Sequence, residues 1–260
     1  MDCPAAEPFM HRFYLPAQLG DENRLQLDGR EAHHGLKVLR LQPGESVTVL
    51  DGAGHEFLCT IESVSRQALS LAVKEKKFTH APSCPITLLV AIPKGKIIEN
   101  IIQKSVELGA HRIVPLLTER VVMQLDDEGS EQKREKWQQV AVEAIKQCGA
   151  GWLPTIEAPQ SIADFLAQGY AIEFPLVGAL ASPRRYPQEC FKEFQKQHGR
   201  SPRSAGIWIG PEGDFTPEEL RVILQSGARP VTLGNLTLRV ETAAVYGLSI
   251  LNYELGADFC

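Results

Sequence analysis

No stretch of the chain holds the roughly 18 consecutive apolar residues of a membrane-spanning helix. The first sixteen residues, MDCPAAEPFMHRFYLP, carry no apolar h-region, so no secretory signal is expected. The six cysteines, at 3, 59, 84, 148, 190 and 260, include no C-x-x-C pair. Neither a metal site nor a disulfide framework is therefore expected, and reduced thiols in a cytoplasmic protein are the default. Cys148, in the run QCG, reads as a small buried hydrophobe rather than a nucleophile. Positive charge is also in short supply. Against 27 Lys and Arg stand 32 Asp and Glu, a formal net charge of −5. That excludes a broadly basic nucleic-acid coat but leaves room for a local basic groove. There is no internal repeat and no low-complexity tract.

What is present is a chain of 260 residues, 43% hydrophobic, enough for one large or two modest domains with a sizeable core. Residues 1–9 read as a disordered leader, and Met10 is a candidate functional start. Residues 10–80 are strand-rich: RFYL, RLQL, SVTVLDG, HEFLCTIESV and ALSLAVK are short β-prone runs split by Gly, Pro and Asp. A hairpin is expected around Asp51-Gly52-Ala53-Gly54 and one short helix around REAHHGLKVLR. This is the pattern of a small β-barrel with a helical insert. The segment KKFTHAPSCP reads as a linker. From residue 81 onward the texture changes. Apolar runs at 86–92, 112–117, 173–180, 206–210 and 230–234 alternate with helical stretches at 96–108, 131–148, 161–168, 187–198, 217–226 and 240–255. Apolar strands separated by helices imply a mostly parallel α/β sheet covered on both faces. Thr216-Pro217-Glu218-Glu219 has the form of a capping box, and Gly109 and Gly227 stand where helices end. The last helix, VETAAVYGLSILNYEL, is apolar nearly all round, so a core or a subunit interface must cover it.

Four constellations can carry chemistry. Ile209-Gly210-Pro211-Glu212-Gly213-Asp214-Phe215 follows a strand directly, where open α/β sheets collect ligands. It is neither G-x-G-x-x-G nor a P-loop, and its bland reading is a tight strand-to-helix turn. The second runs from Leu233 to Ala243, with a turn after a strand and a helix starting near Val240. Glu241 there suits the helix dipole, whereas Arg239 opposes it and is the more informative residue. Third is Lys94-Gly95-Lys96 at a strand mouth, followed by an apolar stripe (Ile97, Ile98, Ile101, Ile102) and a possible surface pair, Lys104 with Glu107. Fourth is an N-terminal set of His11, Arg12, Phe13, His33, His34, Lys37 and Arg40, types that can clamp and stack on unpaired bases. The His pair lacks a further ligand at metal spacing.

Taken together, KSVELG (104–109), EAIKQCG (143–149), IGPEG (209–213) and LGNLTLRVETA (233–243) resemble the ribosomal RNA small subunit methyltransferase E family, within the SPOUT class. The resemblance runs from His11-Arg12-Phe13 to the last helix. It implies a PUA-like RNA-binding β-barrel over residues 10–80 and a SPOUT α/β methyltransferase domain over 81–260 with a C-terminal trefoil knot. It also implies S-adenosylmethionine (SAM) as methyl donor and a homodimer. The expected reaction is methylation at N3 of a specific uridine in the decoding region of 16S ribosomal RNA, within the small ribosomal subunit. Carried over by position, the cofactor loops are Val177-Gly178-Ala179, Ile209-Gly210-Pro211-Glu212-Gly213, and Leu233, Gly234 and Leu238 with Arg239 and Thr242. Arg239 and Glu241 are the catalytic candidates, with Glu212 an alternative proton acceptor. The start of the last helix can alternatively supply backbone N–H groups to the SAM carboxylate. His11, Arg12, Lys37, Arg40 and Lys94 are the RNA-binding candidates. The chain departs from the family pattern at Asp214, usually a second Gly, and at Ala150, usually Arg. Competing readings are a non-catalytic RNA-binding or assembly factor, a SPOUT enzyme with another RNA target, and an unrelated α/β enzyme using GPEG against a nucleotide phosphate.

Overall fold

The computed structural model describes residues 10–16, 23–120, 126–180 and 184–256, with no description of the Asp127 side chain. The expected leader, 1–9, lies outside the described residues. The chain forms two compact units. One comprises residues 1–81 together with 145–153, the other residues 82–144 and 154–260.

The first unit is built on a five-stranded sheet of β1 (Arg12–Tyr14), β2 (Arg24–Leu27), β3 (Ser46–Leu50), β4 (His55–Val64) and β5 (Leu69–Phe78), in the order β1-β3-β4-β5-β2. Only β1 and β3 pair in parallel. Phe13, Leu27, Val47, Phe57, Ile61, Leu69 and Leu71 form its buried core. The β3–β4 hairpin forms at Asp51–Gly54 for a specific reason. The buried Asp51 carboxylate accepts from the backbone N–H of Ala53 (2.7 Å) and His55 (2.9 Å), and its other oxygen meets His55 Nδ1 at 2.7 Å. The short helix α1 (Gly29–His33) runs into a π-helical segment, His34–Leu39, that ends on Arg40 in the left-handed region (φ 57°). Residues 145–153 are stitched into the same unit, with Gly54 N–H donating to Gly151 O and Leu153 N–H to Gly52 O.

The second unit is a seven-stranded sheet of β6 (Ile86–Ala91), β7 (Arg112–Leu117), β8 (Thr155–Ile156), β9 (Gln160–Ser161), β10 (Phe174–Gly178), β11 (Ala205–Ile209) and β12 (Arg229–Val231). Its order is β12-β10-β11-β6-β7-β8, with β9 also on β7, and every pair is parallel. The helices are α2 (Ile97–Glu107), α3 (Asp127–Cys148, whose last turn belongs to the first unit), α4 (Ile162–Ala167), α5 (Pro187–His198), α6 (Pro217–Gln225) and α7 (Val240–Leu255). The expected capping box is formed: Thr216 Oγ1 accepts from Glu219 N–H, and Glu219 reaches back to Thr216 N–H. One buried cluster joins Leu89, Val114, Val177 and Trp208 of the sheet to Phe165 and Ile223 of the helices. The Lys104–Glu107 pair is a surface ion pair at 2.9 Å.

Cys148 corrects the reading made from sequence. It is exposed, because the last turn of α3 turns it away from the apolar stripe that buries Ala141, Ala144 and Ile145. Burial pushes the Cys59 thiol up to about 12 and Cys84 to about 11, which keeps both as inert core thiols.

Candidate active site

The strand order of the second unit brings three loops together. Residue Gly178, the end of β10, is in register with Ile209 at the end of β11 on one side and with Val231 at the end of β12 on the other. The segments that leave these three strands therefore emerge side by side at the carboxyl edge of the sheet, where α/β folds bind ligands. They line an open cleft with about 560 Å³ of empty space, part of it continuous with solvent. Gly178, Ala179, Ile209, Gly210, Pro211, Glu212, Leu233, Gly234 and Leu238 line it, all of them singled out from sequence. Val177, Gly213, Arg239 and Thr242 do not. Val177 is fully buried on the core side of β10, and Gly213 and Thr242 are exposed.

Arg239 is the N-cap of α7, with extended backbone (φ −68°, ψ 156°), flanked by two lining residues, Leu238 and Val240. Its side chain is exposed and has no hydrogen bond or ion pair among the described residues. Glu241 lies half-buried in the first helical turn. The cleft also draws on Asp214, Leu236, Thr237 and Ala243 from within the two marked motifs, and on Leu180 and Arg184, which lie outside every motif. Asp214 is a position at which the chain departs from the family's usual glycine. It sits in the left-handed region at φ 64°, which Asp tolerates better than most residues. Its Oδ1 accepts from Phe215 N–H (2.8 Å) and its Oδ2 from Leu180 N–H (3.1 Å), so one carboxylate ties the β11 loop to the β10 loop. Arg120 donates to the Asp214 carbonyl at 3.2 Å from the outside.

The RNA candidates divide between the units. In the first, Arg12 donates through Nη1 to the carbonyls of Lys146 (3.4 Å) and Gln147 (3.2 Å), a cation at the end of α3 where the helix dipole is negative. His11 is half-buried, whereas Lys37 and Arg40 are exposed. Lys37 shares a surface groove with His33 and Arg66, the last unmarked in the sequence. In the second unit Lys94 is exposed, and its backbone N–H approaches Glu212 Oε1 at 3.5 Å.

Known proteins agree with this layout. A model of the RNA methyltransferase domain matches residues 80–252, and one of the RNA methyltransferase PUA domain matches residues 27–74. The ribosomal RNA small subunit methyltransferase E of Synechocystis is 32% identical over 89% of this chain and 73% of its own length. Its Bacillus subtilis counterpart is 29% identical over 94% and 97%. A SAM-bound methyltransferase from Legionella pneumophila superposes with a TM-score of 0.81 at 29% identity, covering 95% of this chain and 98% of that one. The SAM-bound ribosomal RNA small subunit methyltransferase E of Neisseria gonorrhoeae gives 0.80 at 26%, covering 94% and 97%. With two thirds of its length matched by the methyltransferase model and the Synechocystis relative above 30% identity, the chain belongs to the ribosomal RNA small subunit methyltransferase E family.

Proposed function

We propose that the protein transfers a methyl group from SAM to N3 of a specific uridine in the decoding region of 16S ribosomal RNA, acting on the small ribosomal subunit in the cytoplasm. The observation that carries this reading is the cleft where the β10, β11 and β12 loops converge, built from IGPEG and LGNLTLRVETA. The relatives' names and the two SAM-bound neighbours support it.

The residues present fit SAM. Ile209, Leu233, Leu238 and Val240 supply apolar walls for an adenosine, and the loop backbones supply polar groups. Gly234, at φ 119°, leaves open space where a Cβ would stand, with no atom within 4 Å of it. A side chain there would be strained by the backbone conformation, whatever the space around it. When bound, SAM supplies an electrophilic methyl group. The chain's own task is positioning and charge placement. Uracil N3 reacts after losing a proton, which spreads negative charge onto the flanking carbonyl oxygens. Arg239, between the lining residues Leu238 and Val240, answers that charge with a planar fork of donors. Glu241 or Glu212 accepts the proton, or engages Arg239 once substrate is bound, since neither pairs with it in this structure. The target uridine must present its pairing edge, so it is recognised unpaired or extruded.

The finer architecture belongs to the same proposal. Residues 10–80 act as a PUA-like RNA-binding barrel in which His11, Arg12, Lys37 and Arg40 meet RNA, with Lys94 contributing from the 81–260 methyltransferase domain. The C-terminal part of that domain is threaded as a trefoil knot, a rare topology. A homodimer completes the RNA site. The exposed apolar surface of Leu236 (80%), Tyr246 (47%) and Tyr253 (84%) near and along α7 is the area that a second copy would cover. Mass spectrometry of ribosomal RNA nucleosides from a deletion strain tests the substrate. Loss of N3-methyluridine is the expected result, and its persistence overturns the assignment.

A further inference from the structure

We infer that Arg184 anchors the carboxylate of the SAM methionine moiety, and that Asp214 holds it in position to do so. The inference rests on the proposed SAM site and concerns which side chain in it reads the amino-acid end of the cofactor.

Arg184 is the one cationic side chain among the described residues lining the cleft. It is held from behind: Nη1 donates to the carbonyls of Ala179 (3.2 Å) and Leu180 (3.0 Å), the two residues that follow β10. Its Nε and Nη2 have no partner among the described residues. A guanidinium fixed at one nitrogen presents its remaining donors as a planar edge, the arrangement that takes a carboxylate in two parallel hydrogen bonds. The adjacent Arg185 is spoken for, since its Nη1 pairs with Glu193 at 2.8 Å. The two arginines of Arg184-Arg185 thus differ in kind: Arg185 is paired within the fold, and Arg184 lines the cleft with N–H donors to spare.

The peptide that carries the first of these carbonyls, between Ala179 and Leu180, is itself held. Leu180 donates its N–H to Asp214 Oδ2 at 3.1 Å, and the other Asp214 oxygen accepts from Phe215 N–H. Both oxygens of that carboxylate are thus occupied by backbone donors. Glu212 is then the remaining acidic side chain on the wall, touched by a Lys94 N–H at 3.5 Å. A cleft with one anchored cation and one available carboxylate matches a zwitterionic amino-acid end with a neighbouring sulfonium. A glycine at 214 would leave Leu180 N–H without this acceptor. Asp214 is accordingly a positioning residue acting through the β10 loop, and Arg184 the residue that touches the ligand.

The test is isothermal titration of the full-length protein with SAM and with decarboxylated SAM, which keeps the sulfonium, adenosine and amine but lacks the carboxylate. Wild-type protein should prefer SAM by about 10- to 100-fold, the range of a charge-assisted hydrogen-bonded pair. Arg184→Met should lose that preference by weakening SAM alone, and Arg184→Lys should recover part of it. Asp214→Asn should lower the preference less, and combining it with Arg184→Met should add nothing further. Preference retained in Arg184→Met overturns the inference and hands the carboxylate to the N–H groups at the start of α7. Equal weakening of both ligands overturns it too, because Arg184 would then merely support the loop; unchanged circular dichroism certifies that each variant is folded. Wild-type protein that binds neither ligand overturns instead the SAM reading on which the inference depends.

Discussion

At the scale of single residues, the second unit separates charges that hold the fold from charges left free to work. Glu173 belongs to the first kind. Arg200 binds its carboxylate with two nitrogens, and Arg203 N–H adds a third donor at 2.6 Å. The Arg200 hydrogen bond and then the Arg203 backbone bond pull the Glu173 carboxyl down to about 2. A carboxyl depressed in the folded state stabilises it above the ordinary Glu value of about 4.3, and that contribution is lost as pH falls from there toward 2. Glu173→Gln should therefore melt below wild type at pH 6, and the gap should close by pH 2 in thermal scans by circular dichroism. A gap that stays constant with pH would mean the carboxylate charge is irrelevant. Arg239 belongs to the second kind, exposed and uncommitted beside the cleft. Arg239→Ala should cut single-turnover methylation by about 100-fold or more, the scale of a lost charge-stabilising donor. SAM affinity by titration should change only a few-fold. Unchanged turnover would remove Arg239 from the reaction.

At the scale of elements, α7 is defined by what it must approach. It lies across β6 and β11 and packs on α2, burying Val240, Ala244, Gly247, Leu248 and Leu251. At Gly247 the helix comes so near the sheet that a Cβ would stand 2.5 Å from Ile207 Cδ1, with Ile207 itself 1% exposed. Gly247→Val places three carbons there, so it should cost about 1–3 kcal/mol as overpacking. In urea unfolding the midpoint should fall while the slope stays the same. No loss would show that Ile207 has a free rotamer to retreat into.

Elements of this kind were largely legible in the sequence. The helices of the second unit are each expected from sequence, from the six-residue α4 to the nearly all-apolar α7, and Thr216 and Pro217 mark one start to the residue. The strands β8 and β9 are not, because two residues carry no period. Nor is the addition of 145–153 to the first unit, since its bonds to Gly52 and Gly54 join positions about a hundred residues apart. The three site loops were legible as motifs, but their adjacency comes from a strand order that no local pattern encodes. Arg184 escaped notice for the same reason. Its run, ALASPRRYP, has no motif, and only the fold brings it to the cleft wall.

At the scale of the whole molecule, the formal charge of −5 constrains how RNA is held. Of the candidate contacts, Arg12 is partly spent on the carbonyls that end α3. That leaves Lys37, Arg40, Lys94 and Arg239 exposed, a small set in an acidic chain. Each phosphate neutralised on single-stranded RNA releases counterions and contributes about −0.7 to the slope of log K against log salt. Four such contacts give a slope of about −3 per protomer, shallow for a nucleic-acid-binding protein. Bare RNA of the target sequence should thus bind weakly in fluorescence anisotropy between 50 and 300 mM KCl, with that slope. Assembled small subunits should bind far more tightly at the same salt, because shape and protein surfaces then add what charge does not. A slope of −6 or steeper per protomer, or equal affinity for bare RNA and for the subunit, would mean that a basic surface beyond these residues does the binding.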